Sequence, residues 1–171
     1  MTVVVTIVLA ACLATAGMWD LLRRRIPNPV NVSTAALGVA VAMLSGSIAT
    51  VGLSLAGGAL LFVLLLLAWR QGWIGGGDVK LAAAFGTWLG PVGGVYALAV
   101  GVAASGLLGL AMLVRGSSAF RAEVKTNLLM ACYTGEVGDT THRPDSAHVP
   151  LGAALAASAM FIYLLRGGIG A

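Results

Sequence analysis

The 171-residue sequence is rich in apolar residues and poor in charge, with 59% hydrophobic and 9% charged side chains. Soluble domains carry about 25% charged residues, so this composition and the mean hydropathy of +0.97 exclude an ordinary soluble domain and predict an integral membrane protein. The formal net charge of +4 does not indicate nucleic-acid binding, because no basic stripe is interleaved with aromatic residues.

Apolar segments separated by short polar interruptions run along the whole chain. They lie at about 2–19, 30–46, 51–69, 76–90, 92–114 and 149–166. A membrane helix needs roughly 20 apolar residues, and a helix satisfies its own backbone groups in lipid. The sequence therefore predicts an all-α, polytopic bundle of about six transmembrane helices, with residues 1–171 forming a single domain.

The placement of the basic residues predicts the orientation of this bundle. If the N terminus lies outside, the inner side holds every Lys and Arg except Arg166. Cytoplasmic loops of membrane proteins are enriched in these residues. A scheme with five or seven spans would scatter the charges over both sides, so the distribution favours six spans with both termini outside.

The longest polar stretch, 115–148, falls on the inner side in this scheme. Phe120, Val124, Leu128 and Cys132 recur there at four-residue spacing. The pattern is typical of an amphipathic helix lying on the cytoplasmic membrane surface. An ordinary loop with one helical turn is an equally good interpretation.

Acidic residues are scarce, and two of them differ from the rest. Asp20 and Asp78 each adjoin an apolar span, on the same predicted side and at similar depth. The other acidic residues fall in the polar stretch 115–148. Ionisable groups at a membrane are costly and indicate function. Two neighbouring carboxyl groups share one proton, so one can act as a general base while the other acts as a general acid.

Each aspartate also has a structural interpretation. Asp78 follows three glycines, which would let the backbone approach closely and adopt strained angles, but an aspartate in this position is also a good helix cap. Asp20 precedes the basic run 23–25, which would anchor the chain to anionic lipid. Pro27 then ends the first helix and turns the chain.

Taken together, these segments and the start of the last apolar span resemble one known family. The resemblance is carried by Asp20, by Arg25-Ile26-Pro27-Asn28, by Gly75-Gly76-Gly77-Asp78-Val79-Lys80-Leu81, and by Val149-Pro150-Leu151-Gly152-Ala153-Ala154-Leu155-Ala156. In this order they resemble the type IV prepilin peptidases, the bacterial branch of the GxGD membrane aspartic proteases.

The resemblance implies an activity, a location and a set of functional residues. Members of this family cut the leader from prepilin-like proteins at the cytoplasmic face of the bacterial inner membrane, after a glycine and before an apolar helix. Prepilin-like precursors and the lipid bilayer are the implied partners, and no cofactor is implied. Asp20 and Asp78 are the implied catalytic pair. The implied supporting residues, which would shape the site and tune its charge, are Gly75, Gly76, Gly77, Lys80, Pro27, Asn28 and Pro150.

The sequence departs from the long form of the family in its cysteines. Long members carry paired CxxC motifs and an N-methyltransferase activity, whereas this sequence has only Cys12 and Cys132. It resembles the short, peptidase-only form of Flp or tight-adherence pilus systems. No metal site is expected, because His142 and His148 lack matching Cys or acidic neighbours.

Two other interpretations are open. A small transporter or channel subunit would use Asp20 and Asp78 as ion or proton sites, and the three glycines as a hinge in a broken helix. That interpretation predicts a charged residue deep in another span, and no such residue occurs. A structural subunit of a secretion apparatus would tolerate conservative replacement of either aspartate.

Overall fold

A computed structural model describes residues 2–23, 25–45, 47–116, 118–134 and 151–167 of the chain. These residues form helices with no strand among them. The helices are α1 (Thr2–Arg23), α2 (Asn28–Leu44), α3 (Ile48–Arg70), α4 (Gly76–Arg115), α5 (Ser118–Thr134) and α6 (Leu151–Leu165). The predicted all-α class is confirmed for the described residues.

Three of the described helices are long and apolar enough to cross a membrane, namely α1 from Val3 onward, α3 and α4. Helices α2 and α6 are apolar but shorter. These lengths confirm the prediction of a membrane protein. The number of crossings and the orientation stay predictions.

Helix α4 is broken at Gly90, which has φ 66° and ψ −177°, a conformation that only glycine adopts readily. The position of a Cβ on Gly94 lies 3.6 Å from the Cα atom of Gly86. Eight residues along a straight helix would be separated by roughly 12 Å. The two halves of α4 therefore fold back on each other, and the break falls between the predicted segments 76–90 and 92–114.

Helix α3 packs against the first half of α4 with the two backbones in contact. A Cβ on Gly57 would collide with the carbonyl oxygen of Gly86, and a Cβ on Gly86 would lie 2.6 Å from the carbonyl oxygen of Gly57. Small residues permit this approach between membrane helices. The Ser54 hydroxyl donates a 2.7 Å hydrogen bond to the Thr87 carbonyl. In a regular helix residue 91 would donate to this carbonyl, but Pro91 has no N–H.

The other helices close around α4. The Trp88 indole donates to the Thr34 carbonyl on α2 at 2.8 Å, and the Ser158 hydroxyl on α6 donates to the Ala97 carbonyl at 2.8 Å. The largest side chains of the resulting core include Leu9, Leu61, Leu81, Phe85 and Leu155, which are all fully buried. This packing brings the ends of α1 and α3 and the beginnings of α2, α4 and α6 to one end of the bundle.

Two boundaries differ from the sequence prediction. Asp20 was expected in the interruption after the first span, but it lies inside α1, which continues to Arg23. Helix α2 begins at Asn28, before the predicted residue 30, because Pro29 in a first helical turn needs no intrahelical N–H partner. Asp20 is therefore held by a helix and not by a loop.

The stretch 115–148 contains a helix, as the four-residue spacing predicts. Helix α5 is tied to the end of α4 by Arg121, whose Nε and Nη2 atoms donate to the carbonyls of Leu113 and Val114 at 3.1 and 2.8 Å. Its position on the cytoplasmic membrane surface stays a prediction. Pro150, His142 and His148 lie outside the described residues.

Candidate active site

Asp20 and Asp78 reach the same end of the bundle from two different helices. Asp20 lies three residues before the end of α1, and Asp78 lies in the first turn of α4. The backbone N–H of Asp78 donates to the Gly75 carbonyl at 3.1 Å, which continues the helical turn that carries the aspartate. Both side chains are partly buried.

Gly152, the second residue of α6, lies close to both carboxyl groups. A Cβ on this glycine would lie 2.9 Å from Oδ1 of Asp78 and 3.0 Å from Cγ of Asp20. Because both atoms lie so close to one point, their separation cannot exceed the sum of these two distances. The structure therefore brings the two carboxyl groups close together, as the acid–base hypothesis requires.

Helix α6 also holds one of the carboxyl groups directly. The backbone N–H of Ala153 donates a 2.9 Å hydrogen bond to Oδ2 of Asp20. The first N–H groups of a helix have no intrahelical acceptor, and the helix dipole favours negative charge near them. The beginning of α6 thus orients the Asp20 carboxylate.

Gly152 and Ala153 were not predicted as site residues. Both fall in the last segment of the family resemblance, but that segment was represented among the site residues by Pro150 alone. The available signal was a glycine two residues after a proline at the start of an apolar helix. That pattern indicates a close approach of backbone without saying what approaches it.

The three glycines before Asp78 provide space but no left-handed backbone. A Cβ on Gly75 would lie 3.2 Å from Oδ2 of Asp78, and one on Gly76 would lie 3.2 Å from the Trp69 indole nitrogen. A Cβ on Gly77 would lie 3.5 Å from the backbone nitrogen and the Cβ atom of Ile26. Gly75 itself has φ −71°, and among the described glycines positive φ occurs at Gly72, Gly90 and Gly167. The expected strained angles are therefore wrong for this motif, whereas the close approach is confirmed.

Lys80 and Asn28 meet beside the pair but do not touch it. The Lys80 ammonium donates a 2.8 Å hydrogen bond to Oδ1 of Asn28, and the described contacts include no ion pair from Lys80 to either aspartate. Lys80 is exposed. The bond joins the beginning of α2 to the beginning of α4.

A second amide reinforces the same junction. Asn31 is buried, and its Nδ2 atom donates to the Gly77 carbonyl at 3.4 Å. Its Oδ1 atom is buried without a hydrogen-bond partner among the described residues. Pro27 caps the beginning of α2 in an extended conformation and so turns the chain from α1 toward this junction.

The site can supply acid–base chemistry from its own side chains. It contains two neighbouring carboxyl groups, one of which accepts a hydrogen bond from a backbone N–H, and it lies where several helix ends meet. Within the described part of the chain, no group of three or more His, Cys, Asp or Glu side chains could hold a metal ion.

Comparison with protein families matches residues 7–114 to the type IV leader peptidase family. The chain belongs to this peptidase family. The match covers Asp20, the three glycines and Asp78, which are the residues that the resemblance rests on most heavily. It ends before α6, so the contribution of Gly152 and Ala153 comes from the structure alone. Searches of curated proteins and of solved structures returned no match.

Proposed function

We propose that the chain is a membrane aspartic endopeptidase in which Asp20 and Asp78 form the catalytic pair. The observation that carries this proposal is the placement of both carboxyl groups within 3.0 Å of a Cβ position on Gly152. Membership of the leader peptidase family supports the reaction class. Two carboxyl groups close to one point can share one proton and act on one water molecule.

The reaction follows from a carboxyl pair of this kind. The ionised carboxylate takes a proton from water while the water oxygen attacks the scissile carbonyl carbon. The protonated carboxyl gives its proton to the carbonyl oxygen, which yields a tetrahedral intermediate. When the intermediate collapses, the C–N bond breaks and the leaving nitrogen takes a proton. The pair titrates as a unit, so neither aspartate is assigned a fixed role.

The proposed substrates are prepilin-like precursors, cut after a glycine and before an apolar helix at the cytoplasmic face of the bacterial inner membrane. The position of the pair at one end of the bundle supports cleavage at a membrane face. We expect residues 1–171 to cleave without methylating the new amino terminus, because they contain two cysteines and no CxxC motif. We therefore propose that the chain acts in a Flp or tight-adherence pilus system, like the short, peptidase-only form that it resembles.

The transporter alternative receives little support from the arrangement of charge. In the described helices α1 to α4, the charged residues lie near the helix ends: Asp20, Arg23, Arg70, Asp78, Lys80 and Arg115. Helix α6 contains no charged residue, and Arg166 directly follows it. A path for ions or protons would need polar groups through the middle of the bundle.

Co-expression with a prepilin precursor tests the proposal through the size shift of the substrate. Asp20→Asn and Asp78→Asn should each lower cleavage by about 10²–10⁴-fold, the range for loss of an acid–base group. Asp139→Asn makes the same chemical change in the polar stretch 115–148 and should cleave normally. Full processing by either of the first two variants, at equal membrane levels, would contradict the proposal.

A further inference from the structure

A cavity of about 410 Å³ opens at the end of the bundle opposite to the aspartates. It lies between the end of α2, the beginning of α3, the break in α4 and the end of α6. Its lining includes Ser45, Thr50, Leu89 and Arg166. Its volume falls in the range of small-molecule binding sites, and no part of the proposed peptidase mechanism uses it.

The break in α4 explains why a cation lies at this cavity. At Gly90 the helix is interrupted, so the Leu89 carbonyl loses its usual helical partner. The Nη1 atom of Arg166 donates to this carbonyl at 3.1 Å. A guanidinium has five N–H donors, and within the described part of the chain the bond to Leu89 is the one hydrogen bond that the Arg166 side chain makes. The remaining donors are available to a ligand.

The lining combines apolar surface with hydroxyl groups and a positive charge. Val41, Ala42 and Leu53 contribute apolar surface, whereas Ser45 and Thr50 contribute hydroxyl groups. Arg166 is the charged residue of the lining. A guanidinium matches the geometry of a phosphate group and can donate two parallel hydrogen bonds to it.

We propose that this cavity binds an anionic phospholipid of the surrounding bilayer. The phosphate lies at Arg166, and part of an acyl chain covers the apolar surface beside Ala42. Phospholipid headgroups surround the ends of membrane helices, so this ligand is present where the cavity opens. A free phosphate ion would leave the apolar surface uncovered, and a zwitterionic headgroup would bring its own cation toward Arg166. Charge complementarity therefore favours a lipid with net negative charge.

Thermal unfolding in mixed micelles tests this proposal. The purified, delipidated protein is titrated with phosphatidylglycerol, with phosphatidylcholine, or with inorganic phosphate. We expect phosphatidylglycerol to raise the melting temperature at lower concentration than phosphatidylcholine does, and inorganic phosphate to have no comparable effect. Equal effects of the two lipids, or an equal effect of inorganic phosphate, would overturn the proposal.

Variants at the two sides of the cavity separate the headgroup from the acyl chain. Arg166→Gln should weaken phosphatidylglycerol binding about tenfold, which corresponds to the loss of a charge-assisted hydrogen bond. Arg166→Lys retains the charge and should keep most of the preference. Ala42→Leu fills the apolar side while Arg166 remains, and it should also weaken binding. Arg70→Gln removes an exposed cation at the aspartate end and should behave like the wild type.

The outcomes are decisive even if one variant is unstable. If Arg166→Gln does not unfold cooperatively, because it also loses the bond to Leu89, then Arg166→Lys and Ala42→Leu decide the question. Wild-type binding by Ala42→Leu, or a loss by Arg70→Gln as large as that by Arg166→Gln, would overturn the proposed site.

Discussion

The backbone N–H of Ala153 donates a 2.9 Å hydrogen bond to Oδ2 of Asp20, across a sequence separation of 133 residues. This bond brings the beginning of α6 into a site whose aspartates belong to α1 and α4. The neighbouring Gly152 lies close to both carboxyl groups. Helix α6 therefore lines the proposed active site together with α1 and α4. Substitutions in the first turn of α6 test this arrangement most directly.

Gly152→Ala should abolish most of the cleavage activity without loss of the fold. Its Cβ would lie 2.9 Å from Oδ1 of Asp78 and 3.0 Å from Cγ of Asp20, so at least one carboxyl group must move. A displacement of about 1 Å costs on the order of 10²-fold in rate. The Cβ would also lie 2.8 Å from Cδ1 of Ile26, and the better helix propensity of alanine, about 1 kcal/mol, offsets part of the cost of moving that side chain. The melting temperature of the variant is therefore measured beside its activity.

Gly106→Ala is the matched control for this change. It is also a helical glycine of the bundle, and a Cβ there would meet nothing within 4 Å. We expect wild-type cleavage of a prepilin precursor by this control. Wild-type cleavage by Gly152→Ala would show that the two aspartates do not work at the separation seen in the structure.

Ala153→Pro should remove the bond to Asp20 while leaving α6 in place. Ala153 is the third residue of α6, and proline is tolerated in a first helical turn. A hydrogen bond to a charged group contributes about 1.5–3 kcal/mol, so cleavage should fall about tenfold or more. Ala153→Ser retains the N–H and should cleave close to the wild-type rate. Equal losses in both variants would assign the effect to the side chain.

Asp20→Asn combined with Asp78→Asn should be no worse than either single change. Residues that act as one catalytic unit show strongly non-additive effects, because removing one member already disables the unit. The measurement is the residual rate of leader cleavage by the three variants at equal membrane levels. Multiplicative losses in the double variant would mean that the two aspartates act independently.

Asn28→Ala and Lys80→Met should lower activity only a few-fold each. The bond between these side chains is 2.8 Å long but exposed to solvent, and an ordinary exposed hydrogen bond contributes about 0.5–1.5 kcal/mol. Since each change breaks the same contact, the double variant should resemble the singles. A loss as large as that of the aspartate variants would place Lys80 in the chemistry itself.

Cys132 offers a direct test of the orientation. It is exposed on α5, which the distribution of basic residues places on the cytoplasmic side. In a Cys12→Ser background, a membrane-impermeant thiol reagent should label Cys132 in inside-out vesicles but not in intact cells. Labelling from outside would reverse the topology and place the aspartate pair away from the cytoplasm.

The sequence alone determined that the protein is a helical membrane protein, and it indicated Asp20 and Asp78 as the candidate catalytic pair. Apolar composition requires lipid as part of the solvent, and the apolar segments indicate helices wherever they are long. Asp20 and Asp78 could be found because acidic residues are so scarce in a membrane segment that each one next to a span indicates function. The break at Gly90 was also predicted, because one apolar segment ends at residue 90 and the next begins at residue 92. The proline between them interrupts a helix.

Only the tertiary structure decided what surrounds the pair. Gly152 and Ala153 reach Asp20 through packing over more than a hundred residues of chain, and no local periodicity encodes such a contact. The hydrogen bond from Arg166 to the Leu89 carbonyl could not be predicted either, because a sequence shows which residue is a cation but not which group accepts its hydrogen bond. Local pattern predicts where helices begin and end. Which helix ends meet depends on side-chain packing, and here the meeting of α1, α4 and α6 creates the site.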